Sequence, residues 1–433
     1  FVALVDRLEQ QARRDPAEYR TKVVLLALLG NAYLVLVLLS LLAVLGGLVA
    51  SLLMLKALAV KLAIVVGVFL WMVAKALCVR IDPPSGWAIT ATQAPELFEL
   101  ADRLRRKLGA PPIDRLLITD DLNAGVVQVP RLGIFGWPRR YLLVGLPLLN
   151  ALGVEQLSAV LAHELGHLAR DHGRTSNWVY RQRLRWSRLQ TALEARQSRG
   201  SFLFKPFLNW FAPYFNAFSF PMARANEYEA DAAAVRLTSP QAAAMALTTV
   251  EVVSRFLAER YWPQVHGQAD DLPQPDVAPY GGMAQGFAEE IDPESAANWI
   301  EQAMTRGTGL DDTHPALRDR LAAIGQNPQL ACPPAGASAD RLLGSVRDEI
   351  IERFDKQWRN GIGPSWQLRH SELQAGRQQL AELNQRSADG EELALPEAYE
   401  RARLCETLGK RPADALTQFA ALAQRFQNSG LAC

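Results

Sequence analysis

The chain has 433 residues, 49% of them apolar, and a formal net charge of +1. That length allows two or three compact units, and the near-neutral balance carries no basic footprint, so no nucleic-acid partner is expected. The four cysteines (Cys78, Cys332, Cys405 and Cys433) show no C-x-x-C spacing, so the sequence indicates neither a disulfide framework nor a thiolate zinc site.

In chain order, residues 2–14 place Val2, Leu4, Val5 and Leu8 at helical spacing among charges. This predicts an amphipathic helix, either lying on a membrane or simply solvated. Asp15-Pro16 then caps a new helix. Residues 23–45 carry no charge, which is long enough to cross a hydrocarbon core. Gly46-Gly47 is expected to interrupt the run, and residues 58–79, with Lys61 and Lys75 near the ends, to cross again. The expectation is a transmembrane helical hairpin over 23–80, preceded by a pre-membrane helix over 1–22. Arg and Lys flank both outer ends, which puts the ends and the catalytic domain on the cytoplasmic side.

Asp82-Pro83-Pro84-Ser85-Gly86 breaks the helical pattern. An amphipathic helix over 94–108 ends at Gly109. Short β-rich stretches at 114–119, 126–129 and 141–144 predict a small antiparallel sheet, with Asn123-Ala124 in a loop before the second. Its edge strand could pair with an extended peptide, or be an ordinary strand.

The chemistry centres on His163-Glu164-Leu165-Gly166-His167, an H-E-x-x-H in a chain with six histidines. Four residues of helix place His163 and His167 on one face, where two imidazoles can hold two corners of a zinc tetrahedron. Glu164 stands beside them as a general base. His172 lies about 500° of helical turn past His167, off that face. A third ligand must come from elsewhere. In Glu227-Tyr228-Glu229-Ala230-Asp231, Glu227 and Asp231 share a face and Glu229 points away. Glu227 is the expected ligand, with Asp231 accepting a ligand-histidine N–H; the bland alternative is a solvated acidic helix start.

Between these motifs, 177–196 is basic and helical. Residues 202–220 are dense in aromatics, suited to a membrane interface, a groove wall or an aromatic core. Residues 263–282 read as a mobile loop. In 311–321, His314 and Arg320 belong either to a plain capping segment or to the centre, with His314 donating to a developing oxyanion and Arg320 pairing with Asp231. Residues 397–426 read as a tetratricopeptide-like helix–turn–helix. The chain starts at Phe1 and ends inside this unit, so it is expected to be a portion of a longer protein.

Taken jointly, the hairpin, Asn123-Ala124, Leu161 to His167, Arg224 with Glu227 to Asp231, and His314-Pro315 with Arg320 resemble the HtpX and CAAX prenyl protease family of zinc metallopeptidases. The resemblance covers roughly residues 90–325. It implies one zinc ion per chain on His163, His167 and Glu227, with Glu164 as general base and Asp231 behind the ligands. It also implies that Asn123-Ala124 lies along the substrate cleft, with His314 and Arg320 at positions typical of the family after it. Ala223 departs from the serine usual before the arginine. The basic, aromatic segment before Arg224 replaces two spans common in membrane members, which leans toward a quality-control endopeptidase. The tail resembles that of BepA-type proteins, although those are periplasmic and lack the hairpin.

The expected architecture is therefore mainly α with a small antiparallel β-sheet, a zincin-like α+β catalytic domain over 86–330, and a helical tail over 340–433. The expected function is an endopeptidase of a bacterial-type inner membrane. Its partners would be a polypeptide substrate, the lipid bilayer and a protein bound through the C-terminal repeats. The alternative class is a membrane-tethered assembly or chaperone-like factor with gated proteolysis. A third reading, purely structural zinc, would need a fourth protein ligand.

Overall fold

A computed structural model describes residues 2–50, 60–61, 64–68, 71, 82–130, 138–169, 179, 182–183, 186, 205–309, 314–334, 336–409 and 412–425. In order, the first elements are α1 (Val2–Arg14), α2 (Pro16–Ala50), β1 (Trp87–Ile89), α3 (Pro95–Lys107), β2 (Arg115–Thr119), β3 (Ala124–Pro130) and β4 (Pro138–Gly145). Helices α4 (Leu146–Ala151), α5 (Val154–Gly166), α6 (Lys205–Leu237), α7 (Pro240–Phe256), α8 (Trp262–Gly267), α9 (Pro279–Glu289), α10 (Pro293–Thr305) and α11 (Leu317–Ala323) follow. The chain closes with α12 (Arg347–Ala388), α13 (Leu395–Gly409) and α14 (Pro412–Arg425). It divides into two compact units, residues 1–256 with 282–350, and residues 257–281 with 351–433.

In the first unit, Asp15 accepts the Glu18 amide at 2.9 Å and so caps α2, as its position before Pro16 implies. Helix α2 does not stop at Gly46-Gly47 but runs through to Ala50. Glycine costs helix propensity, yet within an apolar run the backbone has no better place for its hydrogen bonds than the helix. Over Pro16–Gly47 the helix is long and apolar enough to cross a bilayer. The expected second span falls largely outside the described residues.

Tyr19, Val23, Ala27 and Leu34 of α2 pack with Leu8 of α1 and with Leu208, Phe211, Phe215 and Phe220 of α6. Tyr33 stacks on Phe207 with ring centroids 3.8 Å apart. A side chain at Gly30 would meet Phe211 at 2.4 Å, so glycine permits this crossing. The aromatic segment is thus core on one face, while Trp210 and Tyr214 stay exposed.

Helix α6 also revises the sequence reading. Arg224 to Asp231 lie well inside a 33-residue helix that continues through Pro213 and Pro221. Proline normally breaks a helix; here burial of the aromatic face holds the helix together. The acidic cluster is therefore not a solvated first turn, and Glu227 and Asp231 are buried.

The sheet is mixed rather than antiparallel. Its order is β1-β2-β4-β3, with β2 and β4 parallel. The β-rich stretches located β2, β3 and β4 but not β1, and local pattern carries no information on order: β4 inserts between β2 and β3. Strand β3 pairs with β4 alone among the described strands and forms the edge beside α5. Helix α5 packs against α3, α6, α7 and β3.

In the second unit, the segment expected to be a mobile loop instead holds helix α8, a 3-10 turn at Gln268–Asp270 and the start of α9. Side chains of α12 fasten it: Trp366 Nε1 donates to the Leu272 carbonyl at 2.8 Å, and Arg369 pairs with Asp270 at 2.8 Å. Helices α13 and α14 pack against each other. Ala398, Ala402 and Leu422 close on Leu383 of α12, and Tyr399 meets Phe419 edge to face at 5.7 Å.

Candidate metal centre

Helix α5 is fixed at its start before it offers any ligand. Gln156 accepts from the Gly153 amide at 2.7 Å and donates to the Ala331 carbonyl at 2.9 Å. This is the N3 half of a capping box, and it ties the helix to a distant strand of chain. Three turns on, His163 projects from the buried face. His167 is the helix C-cap rather than an interior residue, but it keeps helical backbone angles. The two rings therefore remain one above the other, with their Nε2 atoms 3.3 Å apart.

Glu227 reaches both from α6. Its Oε2 lies 3.5 Å from His163 Nε2, and its Oε1 lies 3.6 Å from His167 Nε2. Zinc–ligand lengths of about 2.0–2.1 Å put neighbouring corners of a tetrahedron about 3.3–3.4 Å apart. The three donor atoms thus already stand at nearly the spacing of a shared ion, and the donor set of two imidazoles and one carboxylate fits zinc. Among the described residues, no fourth His, Cys, Asp or Glu joins the group.

Behind the ligands, His163 Nδ1 donates to Asp231 Oδ1 at 2.9 Å. That bond fixes the tautomer and leaves Nε2 free to bind a cation. Arg320, from α11, forks onto the same carboxylate with Nε 2.9 Å from Oδ2 and Nη2 2.5 Å from Oδ1. Burial opposes charge on Asp231, but the hydrogen bonds from Arg320 and His163 outweigh it and hold the carboxyl below its usual range. His314 Nδ1 lies 2.7 Å from Glu227 Oε2, while its ring is otherwise two-thirds exposed at the rim.

Glu164 faces a cavity of about 340 Å³ shared with His163, Asn123, Ala124 and His314. Burial pushes its carboxyl pKa up. The structure thus brings together all nine residues singled out in the sequence: His163, Glu164, His167, Glu227, Asp231, His314, Arg320, Asn123 and Ala124. His172 lies outside the described residues. The sequence reading missed the far wall of the cavity, where α7 contributes Ala243, Ala246, Leu247, Val250 and Glu251. Those residues look like any amphipathic helix, and no spacing marks them.

Residues 120–327 match the model of peptidase family M48. The match supports a metallopeptidase, and every residue of the centre falls inside it. Comparison with curated proteins and with solved structures gave no match. The M48 match leaves out α1 and α2, so the reading of α2 as a membrane helix rests on its own length and apolarity.

Proposed function

We propose that the protein is a membrane-anchored, zinc-dependent endopeptidase acting on unfolded or membrane-associated polypeptides. The observation that carries this reading is the convergence of His163, His167 and Glu227, with His163 and the neighbouring Glu164 lining one cavity. Those three residues would hold a zinc ion, which would supply Lewis acidity and lower the pKa of a water toward neutrality.

The remaining work falls to the chain. Glu164 takes the proton of the attacking water and returns it to the leaving amine. Asp231 and Arg320 hold His163 in its ligand tautomer. His314 donates toward the oxygen that gains charge on the scissile carbonyl. An extended substrate lies along the edge of β3, which among the described strands pairs with β4 alone, past Asn123-Ala124, using backbone hydrogen bonds that are indifferent to sequence. Such recognition suits unfolded chains. The apolar α2, with the second crossing expected over residues 58–79, anchors the unit in a bilayer, and the Arg and Lys outside this hairpin put the catalytic unit on the cytoplasmic side. The resemblance to the HtpX and CAAX prenyl protease family, and to tetratricopeptide units at α13–α14, supports a quality-control role with a protein partner on the tail.

The test is bound metal by elemental analysis, paired with hydrolysis of an unfolded casein with and without chelator. One zinc per chain and chelator-sensitive cleavage are expected. Glu164→Gln is expected to keep the zinc and lower kcat by about 10²–10⁴-fold, the usual range for a lost general base. Undiminished cleavage by that variant would remove Glu164 from the mechanism.

A further inference from the structure

We propose that Arg224 is a positioning residue of the centre, tying helix α1 to the loop that leads to His314; this rests on the peptidase reading above. Arg224 stands three residues before Glu227 on α6, on a neighbouring face of the helix. Its guanidinium makes contacts in three directions. Nη1 donates to Glu9 of α1, and Nη2 donates to the Gly309 carbonyl. The group also lies 4.8 Å over the ring of Phe220, one turn back on α6. The ion pair is nearly dry, with the side chains of Arg224 and Glu9 only 12% and 14% exposed.

The loop held in this way is also pinned from its other side. The Thr308 amide donates to Asp319 Oδ2 at 3.1 Å, and the Ala316 amide donates to Thr308 Oγ1 at 2.8 Å. Asp319 precedes Arg320 on α11. Residues 308 and 309 are thus anchored separately, one to the helix that carries Arg320 and the other to the helix that carries Glu227. Five residues beyond Gly309, His314 rests on Glu227. From helix α1, Glu9 aims the guanidinium that fixes one of the two anchors.

The alternative position for that guanidinium is close at hand. A cavity of about 820 Å³, lined by Glu9, Ala12, Arg224, Tyr228, Thr308 and Asp319, opens beside the pair. Without Glu9, a buried cation is left without its counter-charge. Arg224 then swings toward water through this cavity, and the Gly309 carbonyl loses this donor. Loosening of the loop follows, with no change in the ligand set itself.

The experiment uses the full, zinc-loaded chain in detergent micelles. In Glu9→Ala, zinc stoichiometry and helical circular dichroism are expected to stay at wild-type values. Amide exchange at 307–309 and 314–316 is expected to quicken by about tenfold, as local opening becomes easier. For casein, kcat is expected to fall by about tenfold with KM nearly unchanged, the signature of a misplaced group rather than lost binding. Glu9→Gln, which keeps an acceptor for Nη1, is expected to remain within about threefold of wild type.

The paired exchange Glu9→Arg with Arg224→Glu rebuilds the ion pair but supplies no donor for Gly309. It is expected to recover thermal stability while loop exchange stays fast and kcat stays low. Two outcomes overturn the proposal: wild-type loop exchange and kcat in Glu9→Ala, or full recovery of both in the paired exchange, which would make the contact mere adhesion of α1. If the wild-type chain cleaves nothing, the peptidase reading falls, and the exchange data alone decide the role of Arg224.

Discussion

Asp231 is the residue on which the character of His163 depends. It is buried, it takes the Nδ1 proton, and it remains a carboxylate because Arg320 forks onto it. Arg320→Ala leaves that buried charge short of its strongest partner and frees the imidazole to rotate or change tautomer. Loss of such an outer partner commonly costs about 10–100-fold in metal affinity. The expected result is a zinc dissociation constant raised by that factor in a chelator competition. Arg320→Lys is expected to recover only part of it, because an ammonium cannot span both carboxylate oxygens. Much of this centre was legible in the sequence, for a physical reason. Residues four apart on a helix share a face, so H-E-x-x-H and the Glu227/Asp231 pair each declare a direction. The contact of Glu9 with Arg224 declares nothing, because residues 215 apart leave no local spacing to read.

At the scale of elements, the seam between α2 and α6 depends on one missing side chain. Gly30 lets Phe211 and Trp186 close against the helix backbone. Gly30→Leu forces rigid aromatic rings aside, and overpacking of this kind costs about 1–3 kcal/mol. A lower melting temperature in micelles is expected, with less-than-additive loss when Phe211→Ala is combined with it, since the second change vacates the contested space. The helices themselves were readable from periodicity, as in α3, with Leu97, Leu100, Ala101 and Leu104 on one buried face. Two kinds of information were not. Strand order depends on which edge the returning chain reaches, so the parallel pairing of β2 with β4 has no local mark. Helix persistence through Pro213 and Pro221 is decided by aromatic burial against α2, a tertiary effect that overrides propensity.

At the scale of the whole molecule, the second unit has its own buried charge. Asp355 accepts the Tyr280 amide at 2.8 Å, but its burial still pushes its carboxyl pKa up. A raised value means that the folded state holds the proton more tightly than the unfolded chain does. The stability due to Asp355 is therefore fully present below the ordinary aspartate pKa of about 3.9 and is lost as pH rises through the raised folded value. Exchange of the Tyr280 and Gly281 amides, corrected for intrinsic rates, is expected to slow as pH is lowered through that window. Asp355→Asn is expected to abolish this dependence while leaving the metal centre unaltered.

The order in which the centre's parts leave the ribosome has a consequence for the living cell. His163 comes early, Glu227 more than sixty residues later, and Arg320, which keeps Asp231 charged, later still. A nascent chain that ends before α11 has no finished place for the cation, because metal capture of this kind is a property of completed folding. The centre is therefore unfinished until α11 has been made. The cavity beside the candidate ligands is walled only once its last helix, α11, has folded.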